Sequence, residues 1–424
     1  MTAADDLARA EGIHARHRDG TENCSRRRDL TLLYAARAAR NFGDGFAVIV
    51  LPAYLTAIGF EPAAIGIVAT AALLGSALLT LSVGFLAPRF DLRGLLIAGA
   101  LLMAATGVAM PNAESIVLIV VVAFIGTMNP ATGDMGVLVP IEHAMLAREA
   151  SDADRTSVFA RYSLIGAIAT AAGALAAATP DALRLVGVAP LPALKAMLYG
   201  YGLLGLFGAA CYRLLPRVKP AADAPASAPL GRSRRVVYRL AALFSIDAFA
   251  GGFAVQSLVA LWLFERFGMS LASASLFFFW TSVLSALSFP AAARLARRFG
   301  LVNTMVFTHL PSSVCLIIAA FVPNLVGVLA LLLVRAALSQ MDVPTRTSYV
   351  MAVVTPQERP AAASVTAVPR TLASSLSPAL AGVLLATPFS GLPLVICGAL
   401  KIVYDVALLV SFRHIKPPEE RGGG

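Results

Sequence analysis

The sequence predicts an all-α polytopic membrane protein of twelve transmembrane helices, arranged as two six-helix pseudo-repeats. Three observations carry this. First, the 424 residues are 58% hydrophobic and 14% charged, with a mean hydropathy of +0.77; a soluble domain carries roughly 25% charged residues. Second, apolar stretches near the twenty residues that a bilayer demands recur along the whole chain. Third, short motifs of the first half return in the second half at a nearly constant offset.

In chain order, residues 1–29 form a polar tail ending in Arg26-Arg27-Arg28, expected to be disordered and lacking the apolar core of a cleavable signal peptide. Apolar spans follow at 31–58, 62–86, 94–111, 115–146, 156–179, 193–213, 236–265, 270–293, 301–322, 325–353, 361–387 and 391–412. The turns between them are short and marked by Pro or Gly, as at Gly59 to Pro62, Pro111 to Glu114, Pro323-Asn324 and Pro388 to Gly391. One long linker, 216–235, is rich in Pro, Ala and Ser and carries the densest basic cluster. It separates a bundle over 30–215 from a bundle over 236–412, and a tail at 413–424 follows. Pro130, Gly133, Pro140 and Pro344 are expected to interrupt spans four and ten, which a membrane helix tolerates where protein or water re-satisfies the freed backbone.

Charge placement orients the chain. Of 34 Lys and Arg residues, 24 fall in the tails and alternate loops; only Arg184, Lys195 and Arg266 fall on the other side. The positive-inside rule then places both termini in the cytoplasm, which requires an even number of spans. The net charge of +10 therefore reads as loop anchoring, and no nucleic-acid partner is expected. Thirty Arg against four Lys is the bias of a GC-rich bacterial genome, so the expected location is a bacterial cytoplasmic (inner) membrane. Cys24, Cys211, Cys315 and Cys397 show no paired spacing, and no disulfide or metal site is expected. His14 and His17 have ligand-like spacing but belong to the polar tail.

The duplication rests on three matches. Gly45-Phe-Ala-Val48 returns as Gly252-Phe-Ala-Val255, an offset of 207; Arg89-Phe90-Asp91-Leu92 returns as Arg298-Phe299-Gly300-Leu301, an offset of 209; and Asp154-Arg155 returns as Glu358-Arg359, an offset of 204. Six-span halves repeated in parallel are a transporter plan with the substrate site at the midplane between them.

Two segments add a family resemblance: Leu51-Pro52-Ala53-Tyr54-Leu55 late in the first span, and the loop from Gly84 to Gly94. The loop resembles the motif Gly-x-Leu-Ala-Asp-Arg-x-Gly-Arg-Lys of the major facilitator superfamily, and the likeness extends over about residues 30–412. Gly84, Leu86, Ala87, Arg89 and Arg93 match, Pro88 replaces the Asp, and Asp91 replaces the second Gly. The resemblance implies that Gly84, Arg89, Asp91, Arg93 and their second-half counterparts Arg298 and Gly300 belong to gating loops; the other reading is a plain basic anchor. The antiporter Gly-Pro motif expected in span five is incomplete: Gly166 and Gly173 are present but Ala174 stands where Pro is expected, and Ser377-Pro378 in span eleven is a closer match.

The intramembrane charges are near balance. Arg37, Arg40, Arg161, Arg335, Arg346, Arg370 and Lys401 oppose Asp44, Asp134, Glu142, Asp247, Asp342 and Asp405. Such groups rarely face lipid, and near balance favours internal pairing. Arg335, Ser339, Asp342 and Arg346 form one polar column if span ten is a continuous helix, with Asp342 and Arg346 one turn apart and Arg335 competing for the same acid. Lys401 and Asp405 are expected to pair within the last span, and Phe277 to Trp280 to face lipid or pack. The resemblance implies that spans one, four, seven and ten line a central cavity, and each carries an acid. The candidate substrate or coupling residues are Arg40, Asp44, Asp134, Glu142, Asp247, Gln256, Arg335, Asp342 and Arg346; the alternative for each is a fixed salt bridge.

The expected function is secondary active transport by alternating access, with proton-coupled efflux of a small organic molecule ahead of ion-coupled uptake of a nutrient or organic anion. A non-transporting receptor or scaffold with the same fold is the rival from another class. The sequence has no Gly-x-x-x-x-Gly-Lys-Ser/Thr loop for ATP and no nucleophile–base set, so no enzyme activity and no cofactor are expected. The expected partners are the substrate, protons and the bilayer, with the protein a monomer.

Overall fold

The computed structural model describes residues 3–86, 89–131, 136–149, 154–217, 230–231, 233–355 and 358–412. Ala87, Pro88, Gly133, Asp134, most of the linker and the tail at 413–424 lie outside the described residues. The first half contains α1 (Ala3–Ala57), α2 (Pro62–Leu86), α3 (Leu92–Asn112), α4 (Ile116–Ile125), α5 (Leu138–Glu149), α6 (Arg155–Ala176), α7 (Thr179–Leu185) and α8 (Pro190–Arg213). The second contains α9 (Arg234–Gly252), α10 (Gln256–Phe267), α11 (Leu271–Phe299), α12 (Leu301–Phe321), α13 (Leu325–Ser339), α14 (Asp342–Val353), α15 (Arg359–Leu385) and α16 (Leu392–Phe412). Among the described residues, nine helical segments are long and apolar enough to cross a membrane; α4 and α13 are shorter apolar helices, continued by α5 and α14. With α1, the chain traces twelve crossings. Residues 3–29 are not the expected disordered tail: α1 starts at Ala3, and the Ala and Arg residues of this stretch are good helix formers.

The turns are set by local chemistry. The side chains of Asp91, Ser115, Ser270 and Asn324 each accept a backbone N–H in the first turn of α3, α4, α11 and α13. Spans four and ten break as expected, but span seven breaks too, over 253–255 after the pair Gly251-Gly252, whose flexibility weakens the helix end. The carbonyl freed at Pro130 in the span-four break accepts the N–H of Ser257 in α10 at 3.2 Å.

The two halves repeat at the level of contacts. A Cβ on Gly45 in α1 would lie 2.3 Å from the carbonyl oxygen of Thr170 in α6; a Cβ on Gly252 in α9 would lie 2.6 Å from that of Ser374 in α15. The glycines are offset by 207 and their contacts by 204, so both halves bring the same two backbones together at the same place.

The apolar core shows how the halves sit. At the end bearing the turns at Gly59 and Phe389, one core joins both halves, including Leu51, Tyr54 and Ile65 with Leu261, Trp262 and Leu385. At the opposite end, where α1 and α9 carry their basic residues, the core is split. Leu33, Leu96, Leu146 and Tyr212 pack in the first half, and Leu240, Val306, Tyr349 and Leu408 pack separately in the second. The cross-half hydrogen bonds follow the joined end: Ala379 N–H to Thr70 Oγ1 at 2.8 Å and Ala272 N–H to Asp181 Oδ2 at 2.9 Å. There Gly66 and Gly382 meet backbone to backbone, since a Cβ on either would approach the other's Cα within 2.9 Å. The molecule is thus closed at the end far from the basic loops.

Candidate functional site

A cavity of about 240 Å³ lies in the second half, lined from α9 to α16, and among the described residues the first half contributes only Leu73 and Ala131. The broken spans build it. Gly251, Ala254 and Val255 surround the break in span seven, and Ser339 and Gln340 the break in span ten. Arg335, Ser339, Asp342 and Arg346 all line it, but not as one helical column: α13 ends at Ser339 and α14 begins at Asp342. Pro344 in the first turn of α14 lacks the N–H that a continuous helix would use there, so the break falls just before it.

An ionic ring closes the wall of this cavity. The Asp247 carboxylate in α9 accepts Arg346 Nη1 at 3.0 Å through one oxygen and Lys401 Nζ at 2.7 Å through the other. Arg346 Nη2 also reaches Asp342 at 3.0 Å, one turn back on α14. His309 of α12 lies behind, its Nε2 3.7 Å from Asp247 and 3.2 Å from Lys401 Nζ, while its Nδ1 lies 3.0 Å from Asp405. An ammonium has donors only, so Lys401 needs a lone pair on Nε2, and the ring proton then sits on Nδ1 and is donated to Asp405. Lys401 and Asp405, one turn apart on α16, therefore do not pair with each other as the spacing suggested; His309 stands between them. Arg335 does not share Asp342 with Arg346 either. Among the described residues Arg335 makes no hydrogen bond or ion pair, and neither does Arg370 of α15, whose Nε is buried and unpartnered. Phe277 and Phe278 pack in the core, as one of the two expectations had it, and border the cavity, whereas Trp280 is 48% exposed.

The first-half candidates are arranged differently. Arg40 bonds Glu142 of α5, whose carboxylate also accepts the hydroxyls of Tyr162 and Tyr212, both at 2.5 Å. Arg37 stacks over the Tyr162 ring at 4.4 Å. The Glu142 side chain has no exposed surface. Asp44 accepts Tyr201 Oη at 3.1 Å and, with Arg40, borders a space of about 20 Å³, room for little more than one water. Gln256 opens α10 on the wall of the large cavity. Asp134 lies outside the described residues.

At the split end, Gly84 sits in the last turn of α2, Arg89 is exposed, and Asp91 caps α3 by accepting the Arg93 N–H at 3.3 Å. Arg298 lies over the Phe299 ring, and Gly300 ends α11 at φ +85°. Among the described residues no ion pair joins these two loops, as follows from the separated cores at this end.

Sequence reasoning missed His309 and left Arg370 and Lys401 out of the site. The signal was present: each is an ionisable residue inside an apolar span. The partners of His309 and Lys401 lie 62 to 154 residues away, beyond any helical spacing.

A family model described as Major Facilitator Superfamily matches residues 33–338 and 241–423. An uncharacterized membrane protein of Saccharomyces cerevisiae is 24% identical over 422 residues, covering 91% of this chain and 94% of that one. Among solved structures, the nucleoside transporter NupG superposes with a TM-score of 0.71 at 14% identity, over 91% of this chain and 99% of its own. A bacterial homologue of the iron transporter ferroportin gives 0.70 at 15%, over 90% and 98%. The xylose transporter XylE from E. coli gives 0.69 at 14%, over 89% and 95%.

Proposed function

We propose, because this chain belongs to the major facilitator superfamily, that it is a secondary active transporter working by alternating access, in which proton binding at Asp247 is coupled to movement of a small organic molecule through the second-half cavity. The observation that carries this is the Asp247 carboxylate on the cavity wall, shared between Arg346 of span ten and Lys401 of span twelve. A carboxylate between two cations takes up a proton only when they withdraw, so protonation of Asp247 is tied to the movement of three spans. The chain Asp247, Lys401, His309, Asp405 offers the proton a path of polar contacts behind the cavity. With both termini in the cytoplasm, as the loop charges argue, the split core makes this conformation inward-facing, and the opposite state requires the Gly66–Gly382 end to part.

Asp342 and Arg346 serve as the static side of the ring, and Asp44 stands outside it with a tyrosine partner. The gating loops around Arg89 and Arg298 would meet only in the opposite state. The same ring serves export and uptake, and the sign of the coupled pH change assigns one of them. In proteoliposomes loaded with pyranine, addition of a transported compound should change internal pH in the wild type. Asp247→Asn should abolish the change, and Asp44→Asn should retain most of it. A pH response intact in Asp247→Asn would remove Asp247 from the coupling.

A further inference from the structure

Among the described residues, the cavity wall is not electrically balanced. Arg335, Arg346, Arg370 and Lys401 line it against two carboxylates, Asp247 and Asp342. Both carboxylates are already bonded by Arg346 and Lys401. Counting Asp405 behind His309 still leaves one positive charge uncompensated, since the hydrogen bonds around His309 give it the neutral Nδ1–H tautomer. The surplus is localised: Arg335 and Arg370 are the two arginines of the wall with no hydrogen bond or ion pair among the described residues. A bilayer interior makes unpaired guanidinium groups expensive, and nothing in the packing requires them there. The lining also carries the apolar side chains Phe277, Phe278 and Leu332.

We infer that the transported molecule is a small organic anion with an apolar body, its acidic group held by Arg335 and Arg370 and its body against Phe277, Phe278 and Leu332. This rests on the reading of the cavity as the transport site. A guanidinium fork matches carboxylate and phosphate oxygens alike, so the shared chemistry is an oxyanion on an organic frame. The surplus field also repels organic cations from the same space.

The test uses purified full-length protein in detergent, with phenylacetate, adipate and phenyl phosphate as anionic probes, phenylacetamide as the uncharged counterpart and phenethylamine as the cation. Thermal-shift and calorimetric titrations should show binding of at least one anionic probe and of neither control. Adipate and phenylacetate against phenyl phosphate separate a carboxylate site from a phosphate site. Arg335→Gln and Arg370→Gln should each weaken that binding about ten- to a hundredfold, the loss expected for one charge-assisted contact, with Arg335→Lys in between. The melting temperature of each variant without probe checks that it folds; the acid-against-amide comparison on the wild type needs no variant. The inference is overturned if no anionic probe binds, if phenylacetamide or phenethylamine binds as well as the acids, if chloride alone reproduces the stabilisation, or if folded Gln variants bind unchanged. Pyranine liposomes separate the two readings. Asp247-dependent proton movement with uncharged probes alone would leave the transporter and remove the anion. Anion binding through both arginines without any proton movement would do the reverse.

Discussion

The two halves carry the same buried ion pair with opposite polarity. In the first half Arg40 of α1 holds Glu142 of α5; in the second Asp247 of α9 holds Arg346 of α14. Arg40 and Asp247 are offset by 207 and Glu142 and Arg346 by 204, the offsets of the Gly45/Gly252 and Asp154/Glu358 matches. The position is conserved between the repeats, and the surroundings are not. Two tyrosine hydroxyls saturate Glu142 and seal it from solvent. Asp247 instead faces a cavity of about 240 Å³ and shares its oxygens with a second cation on another span. In the proposed mechanism one geometry acts as a strut where its own bundle supplies the partners of the acid, and as a switch where the acid opens onto a cavity.

Substitution of the two acids should break this symmetry most strongly. Glu142→Gln strands Arg40 in a closed interior and is expected to cost about 3–5 kcal/mol, collapsing folded yield and thermal stability in detergent. Asp247→Asn leaves Arg346 its bond to Asp342 and Lys401 its contact with His309. Its expected cost is about 1–3 kcal/mol. Equal losses at the two sites would refute the division into strut and switch.

The glycine contacts sharpen the same comparison at the level of motion. Gly382→Val places a side chain where even a Cβ would lie 2.5 Å from the Pro62 carbonyl oxygen, across the closed end of the two halves. The closed end should part, shifting the population at least about tenfold toward the opposite state. Spin labels at Arg89→Cys and Arg298→Cys, in a background without the native cysteines, should report a shorter distance between the two basic loops. Gly45→Val is the control, because its clash at Thr170 lies inside one half. It should lower the melting temperature and leave the label distance unchanged.

The smallest effect concerns the loops that return each chain half to its first span. Glu358 accepts bonds from Ser233 and from the Gly231 N–H, at the entry to α9, and also from Thr355. These bonds hold its carboxyl down at about 2, Ser233 contributing most. Because the folded value is depressed, the stability it contributes is fully present above the ordinary carboxylate value near about 4.3 and is lost as pH falls toward about 2. Acid titration of stability should show this increment in the wild type and not in Glu358→Gln. The first-half counterpart Asp154 faces Arg26 at 3.6 Å with 59% of its side chain exposed. Asp154→Asn should change thermal stability at neutral pH little, as exposed pairs contribute little.

The sequence by itself determined what composition and short-range order encode. Apolar length fixed the membrane class, Pro and Gly marked the turns and two of the three span breaks, and the matched offsets exposed the duplication before any contact was visible. Asp342 and Arg346 were legible as neighbours because four residues make one helical turn. The tertiary structure alone decided the rest. It gave Asp247 to Arg346 and Lys401, put His309 between Lys401 and Asp405, closed the Glu142 pair with tyrosines from α6 and α8, and left Arg335 and Arg370 on the cavity wall without partners among the described residues. The physical reason is range. Helical periodicity specifies which side of one helix a charge occupies, whereas the choice of partner depends on how separate helices pack, over separations of 20 to 154 residues that no local spacing encodes.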